Sequence, residues 1–226
     1  WLKEGIHDAL FPMMYFQGNN FYPFALDWKE NDGKRWIIPG LGIYFLSPRE
    51  QDWPLDEIVR QIHFTRQIKL NGQAYFRNRF LLDNTKGVLD ELEENFYTYP
   101  ALIPPMTWSD SIPPSVPSHP SVQQIANGKL RMSWQASADN SNQSVVYHLY
   151  GSDTYPVDIK QPQNLIATHL IANEYEYTAK LPWLQKRYFA VTAADRFGNE
   201  SAPLTLNTVS DMDIPLLNKG NMLYLP

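Results

Sequence analysis

An apolar run of strand length followed by an amphipathic helix occurs three times in succession in the first half of this chain, and that cycle limits the fold more than any other feature. The first run, residues 8–17, is apolar at almost every position and is closed by Gly18 and an Asn19-Asn20 pair. A run without polar alternation reads as a strand buried on both faces, as in a parallel sheet. A helix is expected over 22–30, then a strand over 36–45, a helix over 55–68, a strand over 73–82 and a helix over 88–97. Three β-α units in a row predict a parallel sheet or part of a β/α barrel. In such folds the chemistry gathers at the carboxyl ends of the strands, which here carry Tyr15, Gln17, Tyr44, Arg77 and Asn78.

The helix boundaries carry their own signals. Asp32-Gly33 is a turn after the first helix. Trp53-Pro54 opens the second, with Asp56 and Glu57 in the first turn, where the helix dipole favours them. Ile58 and Ile62 mark its buried stripe, and Asn71-Gly72 ends it. Leu89, Leu92 and Phe96 give the third helix an apolar face. Its acidic residues Asp90, Glu91, Glu93 and Glu94 read as a solvated face, not a metal site.

Proline then accumulates from Pro100 to Pro120, at a density that excludes helix and central strand. This stretch reads as a stiff linker whose apolar first half packs across the end of the first domain. The domains are therefore expected at 1–113 and 114–226. Beyond the linker the period changes to two, with alternating runs over 130–134, 146–150, 175–179 and 188–194. Short strands at this spacing in about 100 residues predict a β-sandwich. The fold class is thus α/β plus all-β.

A net charge of -5 and a pI near 5.5 leave no basic footprint for nucleic acid. With no cysteine there are no disulfides and no thiolate metal sites, and the compartment stays open. No stretch is long enough to span a membrane. The five histidines show no metal spacing, and no cofactor motif is present, so no metal or cofactor is expected. The seven Trp and thirteen Tyr supply stacking surfaces for sugars as well as core. Trp1 to Gly5 reads as the last turn of a helix with a glycine stop, so the chain is expected to be the C-terminal part of a longer protein whose export signal lies upstream.

Two resemblances sharpen this reading. Trp134, Leu181-Pro182, Tyr188 and the stretch from Val191 to Ser201 resemble the fibronectin type III pattern over residues 117–208. The resemblance makes Trp134 the core tryptophan and Tyr188 the tyrosine-corner candidate. Trp1 to Asp8, Pro12 to Tyr15, Pro39 to Tyr44, Gly72 to Arg77 and Pro100 to Trp108 resemble the C-terminal part of bacterial glycosyl hydrolase-like proteins, family 10-like and once a domain of unknown function. That resemblance implies the last three β/α units of a (β/α)8 TIM-type barrel and an exported or lipoprotein-anchored protein. Its location would be extracellular, periplasmic or on the cell surface, and its partner a polysaccharide or cell-wall glycan.

Glycoside hydrolysis needs two carboxyl groups across the scissile bond. Asp8 lies at the wrong end of its strand, Asp27 and Glu30 on a helix and Asp83 beyond the third strand, so the catalytic acids are expected upstream. Tyr15, Gln17, Tyr44, Arg77 and Asn78 then remain as substrate-binding candidates. Arg77 suits an acidic sugar, a peptide carboxylate or a catalytic carboxylate; its structural alternative is a salt bridge within the barrel. Trp28 and Trp53 are stacking platforms or, more commonly for such residues, packing groups. A non-catalytic carbohydrate-binding or scaffold protein is the alternative function. An incomplete barrel leaves an apolar wall that self-association would cover.

Overall fold

The structure is a computed structural model that describes residues 1–126, 128–179 and 186–207. The chain divides into two compact units, Trp1–Thr98 and Tyr99–Pro226, ahead of the division expected at 113/114.

The first unit is mixed α/β. Strand β1 (Ala9–Leu10) pairs in parallel with β2 (Trp36–Ile37), and β3 (Gly40–Leu41) in parallel with β4 (Ala74–Tyr75). The segment from β2 to β3 is bonded on both sides. On one side Ile38 N donates to Leu10 O and Gly40 N to Pro12 O; on the other Ala74 N donates to Pro39 O and Phe76 N to Leu41 O. The strands are shorter than the apolar runs because Pro12 and Pro39 have no N–H to give the ladder.

Helices α1 (Tyr22–Glu30) and α2 (Leu55–Gln67) lie where the periodicity predicts them. Pro23 stands in the first turn of α1, and the Asn31 amide closes it by donating to Asp27 O. The buried side of α2 pairs Ile58 and Ile62 with Glu57, Gln61 and Thr65, so three of its five buried residues are polar. Most of these polar groups are satisfied locally, although Gln61 Oε1 is buried without a partner among the described residues. Gln61 Nε2 donates to Phe16 O at 2.9 Å and to Glu57 Oε1 at 2.8 Å, while Thr65 Oγ1 donates to Ile62 O and receives Gln73 Nε2. This anchors the segment after β1 to α2. The third helix runs as α4 (Val88–Glu91) into a wider turn, Leu92–Phe96.

Three expectations need correction. The run 8–17 is not buried on both faces: Leu10 and Met14 pack into the core, while Phe11 and Met13 are 59% and 73% exposed. The second run leaves extended structure after Leu41, and Tyr44 sits in a 3-10 turn, Ile43–Leu46, that begins at Gly42. The third run stops near Tyr75 and re-forms as a helical turn, α3 (Arg79–Leu82), from which Phe80 and Leu81 reach the core.

The second unit contains two antiparallel sheets, ordered β5-β6-β9 and β11-β10-β7-β8. The strands are β5 (Ser118–Ala126), β6 (Lys129–Gln135), β7 (Val146–Ser152), β8 (Leu165–Leu170), β9 (Glu174–Thr178), β10 (Tyr188–Ala194) and β11 (Leu204–Thr205). Leu130, Met132 and Trp134, alternating along β6, meet Leu149, Phe189 and Val191 of the facing sheet. This is the β-sandwich that the alternation predicts. Strand β10 is buried at every position, because its outward residues Tyr188 and Ala190 are covered by Val157, Leu165 and Leu102.

Leu102 brings in the proline-rich stretch. Expected as a linker packed on the first domain, it packs instead within the second unit. Met106 N donates to Phe197 O at 2.7 Å, and Asn199 Nδ2 donates to Asp110 O at 3.0 Å. The β10–β11 turn that receives it is held by Asp195, whose carboxylate accepts from Phe197 N, Asn199 N and Asn199 Nδ2. Gly198, at φ +80, leaves room for the backbone of Ile103 and Pro105 at 3.3 Å from where a Cβ would stand. Proline segments bring few donors that need partners, which suits one to lie flat on a folded surface. Leu181 and Pro182, quoted for the fibronectin resemblance, lie outside the described residues, as does the upstream backbone that a tyrosine corner at Tyr188 would bond.

Candidate functional site

The carboxyl ends of the parallel strands converge on three aromatic rings. Tyr15, five residues past β1, lies against the bare backbone of the middle strand. A Cβ at Gly40 would stand 3.2 Å from its ring, and one at Gly42 3.2 Å from its Cβ. Glycine at both positions is what lets Tyr15 lie this low. Phe76, at the end of β4, stacks on Tyr15 with centroids 5.3 Å apart and planes 16° from parallel. Tyr44, in the turn after β3, meets both edge-on, 5.8 Å from Tyr15 and 5.6 Å from Phe76. Offset-stacked and edge-to-face contacts are the favourable arrangements of such rings. One hydrogen bond fixes two corners together: Tyr44 N donates to Phe76 O at 3.2 Å.

Arg77 flanks the cluster. Its guanidinium lies 5.9 Å from the Tyr44 ring and 5.4 Å from that of Phe80, and it meets Glu50 at 3.4 Å. Burial, then the neighbouring Tyr44, raises the Tyr15 pKa; burial and then Glu50 raise that of Tyr44, against the pull of Arg77. Both hydroxyls therefore keep their protons at neutral pH and can donate. Among the described residues neither has a hydrogen-bond partner.

Of the five sequence candidates, the structure brings together Tyr15, Tyr44 and Arg77. Gln17 and Asn78 are exposed and take no part in the ring contacts. Gln17 opens a 3-10 turn, its carbonyl accepting from Asn20 N, and Asn78 opens α3, its carbonyl accepting from Leu81 N. Phe76 and Glu50 were not among the candidates. Phe76 is adjacent to Arg77 at a strand end and was legible by position; Glu50 lies in a loop with no pattern to mark it. Trp53 is 5% exposed, packs at a tilt on Phe45 and donates its indole N–H to Gln51, so it is a packing residue, and Trp28 also packs against the core. Among the described residues no group of three or more His, Asp or Glu could hold a metal ion, and no helix is long and apolar enough to cross a membrane.

Among the described residues Glu50 is the carboxylate recorded beside the cluster. Glu50 is engaged by Arg77, Asp52 is held by Lys86 at 2.6 Å, and Asp83 pairs with Arg79 at 3.2 Å. The buried Glu57, 4% exposed, is paired with Arg60 and hydrogen-bonded by Gln61. The arrangement can stack and hydrogen-bond a polyhydroxylated ring and pair with an anion.

No protein-family model matches the chain. Over 212 residues it is 29% identical to the glycosyl hydrolase YngK of Bacillus subtilis (strain 168), covering 89% of this chain and 41% of that protein. The chain thus spans about two fifths of the length of this curated relative. Among solved structures it is weakly similar to a bacterial orthologue of human α-L-iduronidase, at 18% identity and a TM-score of 0.31 over 42% of this chain and 15% of that one. It is also weakly similar to the FN5 domain of Drosophila Lar, at 15% identity and a TM-score of 0.26 over 42% of this chain and 96% of that one. The chain is a distant homologue of a glycosyl hydrolase, with mixed α/β and β-sandwich parts.

Proposed function

We propose that this chain is the C-terminal part of an exported bacterial glycoside hydrolase acting on a polysaccharide or cell-wall glycan. Its first unit would supply the last three β/α units of a barrel, and its second a fibronectin type III-like module. The observation that carries the reading is the similarity to a glycosyl hydrolase along 89% of the chain. Two features of the molecule support it. The strands are parallel and pair in chain order, first with second and second with third, with helices between them. The aromatic cluster stands at their carboxyl ends, where β/α barrels place their sites. Tyr15, Tyr44 and Arg77 are then substrate-binding residues, with Phe76 added to them, and the catalytic carboxylates come from residues outside these 226. The test has two parts. A longer gene product containing this chain should release reducing sugar from a polysaccharide, whereas the 226-residue chain should bind glycan without turnover. Tyr15→Ala should weaken that binding, and turnover by the 226-residue chain above a buffer control would overturn the assignment of roles.

A second reading is a non-catalytic carbohydrate-binding or scaffold protein. The engagement of Glu50 by Arg77 and of Asp52 by Lys86 favours it, since neither carboxylate is free for acid–base work. Glycan binding with no hydrolysis by the longer product as well would establish it over the first.

A further inference from the structure

We infer that the ring cluster takes a sugar bearing a carboxylate, with Phe76 beneath the pyranose and Arg77 on the carboxylate, and that Glu50 is the intramolecular carboxylate this ligand displaces. The inference rests on the glycan-binding reading above and names its substrate class. Phe76 has one face on Tyr15 and an edge on Tyr44, yet stays 46% exposed. Its remaining surface is therefore open to a ligand, and the C–H faces of sugars pack well on such rings. The Tyr15 and Tyr44 hydroxyls are protonated donors without partners among the described residues, ready for sugar oxygens.

Arg77 decides the charge. Tyr44 and Phe80 hold its guanidinium beside the cluster. Its ion pair with Glu50 is a single contact at 3.4 Å, between side chains 54% and 36% exposed. A long, one-toothed, solvated pair contributes little, whereas a guanidinium met by both oxygens of a carboxylate forms short, charge-assisted bonds. The Glu50 carboxylate is therefore easily displaced by a ligand that brings an anion in on the Phe76 side. A neutral sugar would leave the Arg77–Glu50 pair in place and gain only the stacking and the hydroxyl bonds.

The test compares a trisaccharide of glucuronic acid with the glucose trisaccharide of the same linkage, titrated calorimetrically into the 226-residue chain at low salt. The acidic trisaccharide should bind about tenfold more tightly, the scale of one charge-assisted contact. High salt should narrow the gap. Arg77→Gln should erase it by taking away the tighter binding of the acidic trisaccharide, and Glu50→Gln should widen it by removing the competitor. Phe76→Ala should weaken both sugars alike. Equal affinity for the two sugars, or a gap that survives Arg77→Gln, overturns the acidic-sugar inference while leaving the glycan reading standing. Binding of neither sugar overturns both.

Discussion

Trp134 shows how much one side chain can carry in the sandwich. It is 5% exposed, lies edge-on to Tyr147 at 5.3 Å, and its indole N–H has no hydrogen-bond partner among the described residues. Trp134→Ala should cost about 3–5 kcal/mol, read from chemical unfolding, since it removes a large buried ring from between the sheets. Trp134→Phe should cost much less, because it keeps most of the ring packing and removes a buried donor that the described residues leave unsatisfied. If the alanine variant lost under about 1 kcal/mol, the residue would not be the centre of this core. His148 makes a different claim. It is buried on the outer side of β7, and that burial lowers its pKa first; Glu200 opposes the shift and His169, 5.4 Å away, adds to it. Tyr150 and Thr192 also approach this side, both donating to Glu200 Oε1 at 2.6 Å. A histidine whose folded pKa lies below its ordinary 6.5 takes up its proton more readily when unfolded. Its contribution to stability is full above that value and is lost as pH falls below it toward the folded pKa. Sandwich stability should therefore begin to fall as pH drops below about 6.5, before ordinary carboxylates titrate. His148→Gln should flatten that slope, and an unchanged slope in the variant would assign it to other groups.

At the scale of elements, the sequence was informative wherever local signals and burial agreed. The bounds of α1 and α2 were legible because Pro23, Asn31, Pro54 and the Ile58–Ile62 stripe are local devices that tertiary contacts did not override. The strands of the sandwich at 130–134 and 188–194 were legible from their own period of two and the turns beside them, although β10 is buried throughout and does not alternate in burial. Strand β5 was missed because Pro120 reads as a breaker, and only its place at a sheet edge makes that residue tolerable. The proline-rich stretch was misplaced for a related reason: composition shows that it is extended but not which surface accepts it. The ring cluster was half legible. Strand-end position pointed to Tyr15, Tyr44 and Arg77, but nothing in the sequence shows that Gly40 and Gly42 form a seat for Tyr15. That seat can be tested. Gly42→Ala places a methyl 3.1 Å from the Phe45 ring and 3.2 Å from the Tyr15 Cβ, so both neighbours must give. We expect a stability loss of about 1–2 kcal/mol and a larger proportional loss of glycan affinity than Gly42 could cause by contact with sugar. Unchanged binding in a folded variant would show that the Tyr15 position is not what the ligand reads.

For the molecule as a whole, the unresolved demand lies on the uncovered face of the first unit. Its sheet is covered by helices on the side of Leu10, Ile37 and Leu41, which reach the core. Phe11 and Met13 point the other way and are exposed. The outer strands β1 and β4 each pair on one side only among the described residues, and both edges present free backbone groups. Apolar faces and open edges together are what protein chains normally cover, because each recruits a partner by a different force. In a barrel the opposite wall would cover both. The 226-residue chain has no such wall among its described residues, so at micromolar concentration it should self-associate and bind a hydrophobic dye. Met13→Glu should reduce both effects, since it places a charge in the centre of the patch while disturbing no core contact. Sedimentation and dye fluorescence read the two effects separately. A monomer that binds no dye would show that this face is content in water and is not a barrel wall. Association that survives Met13→Glu would move the interface to another surface and leave the barrel assignment without its strongest physical consequence.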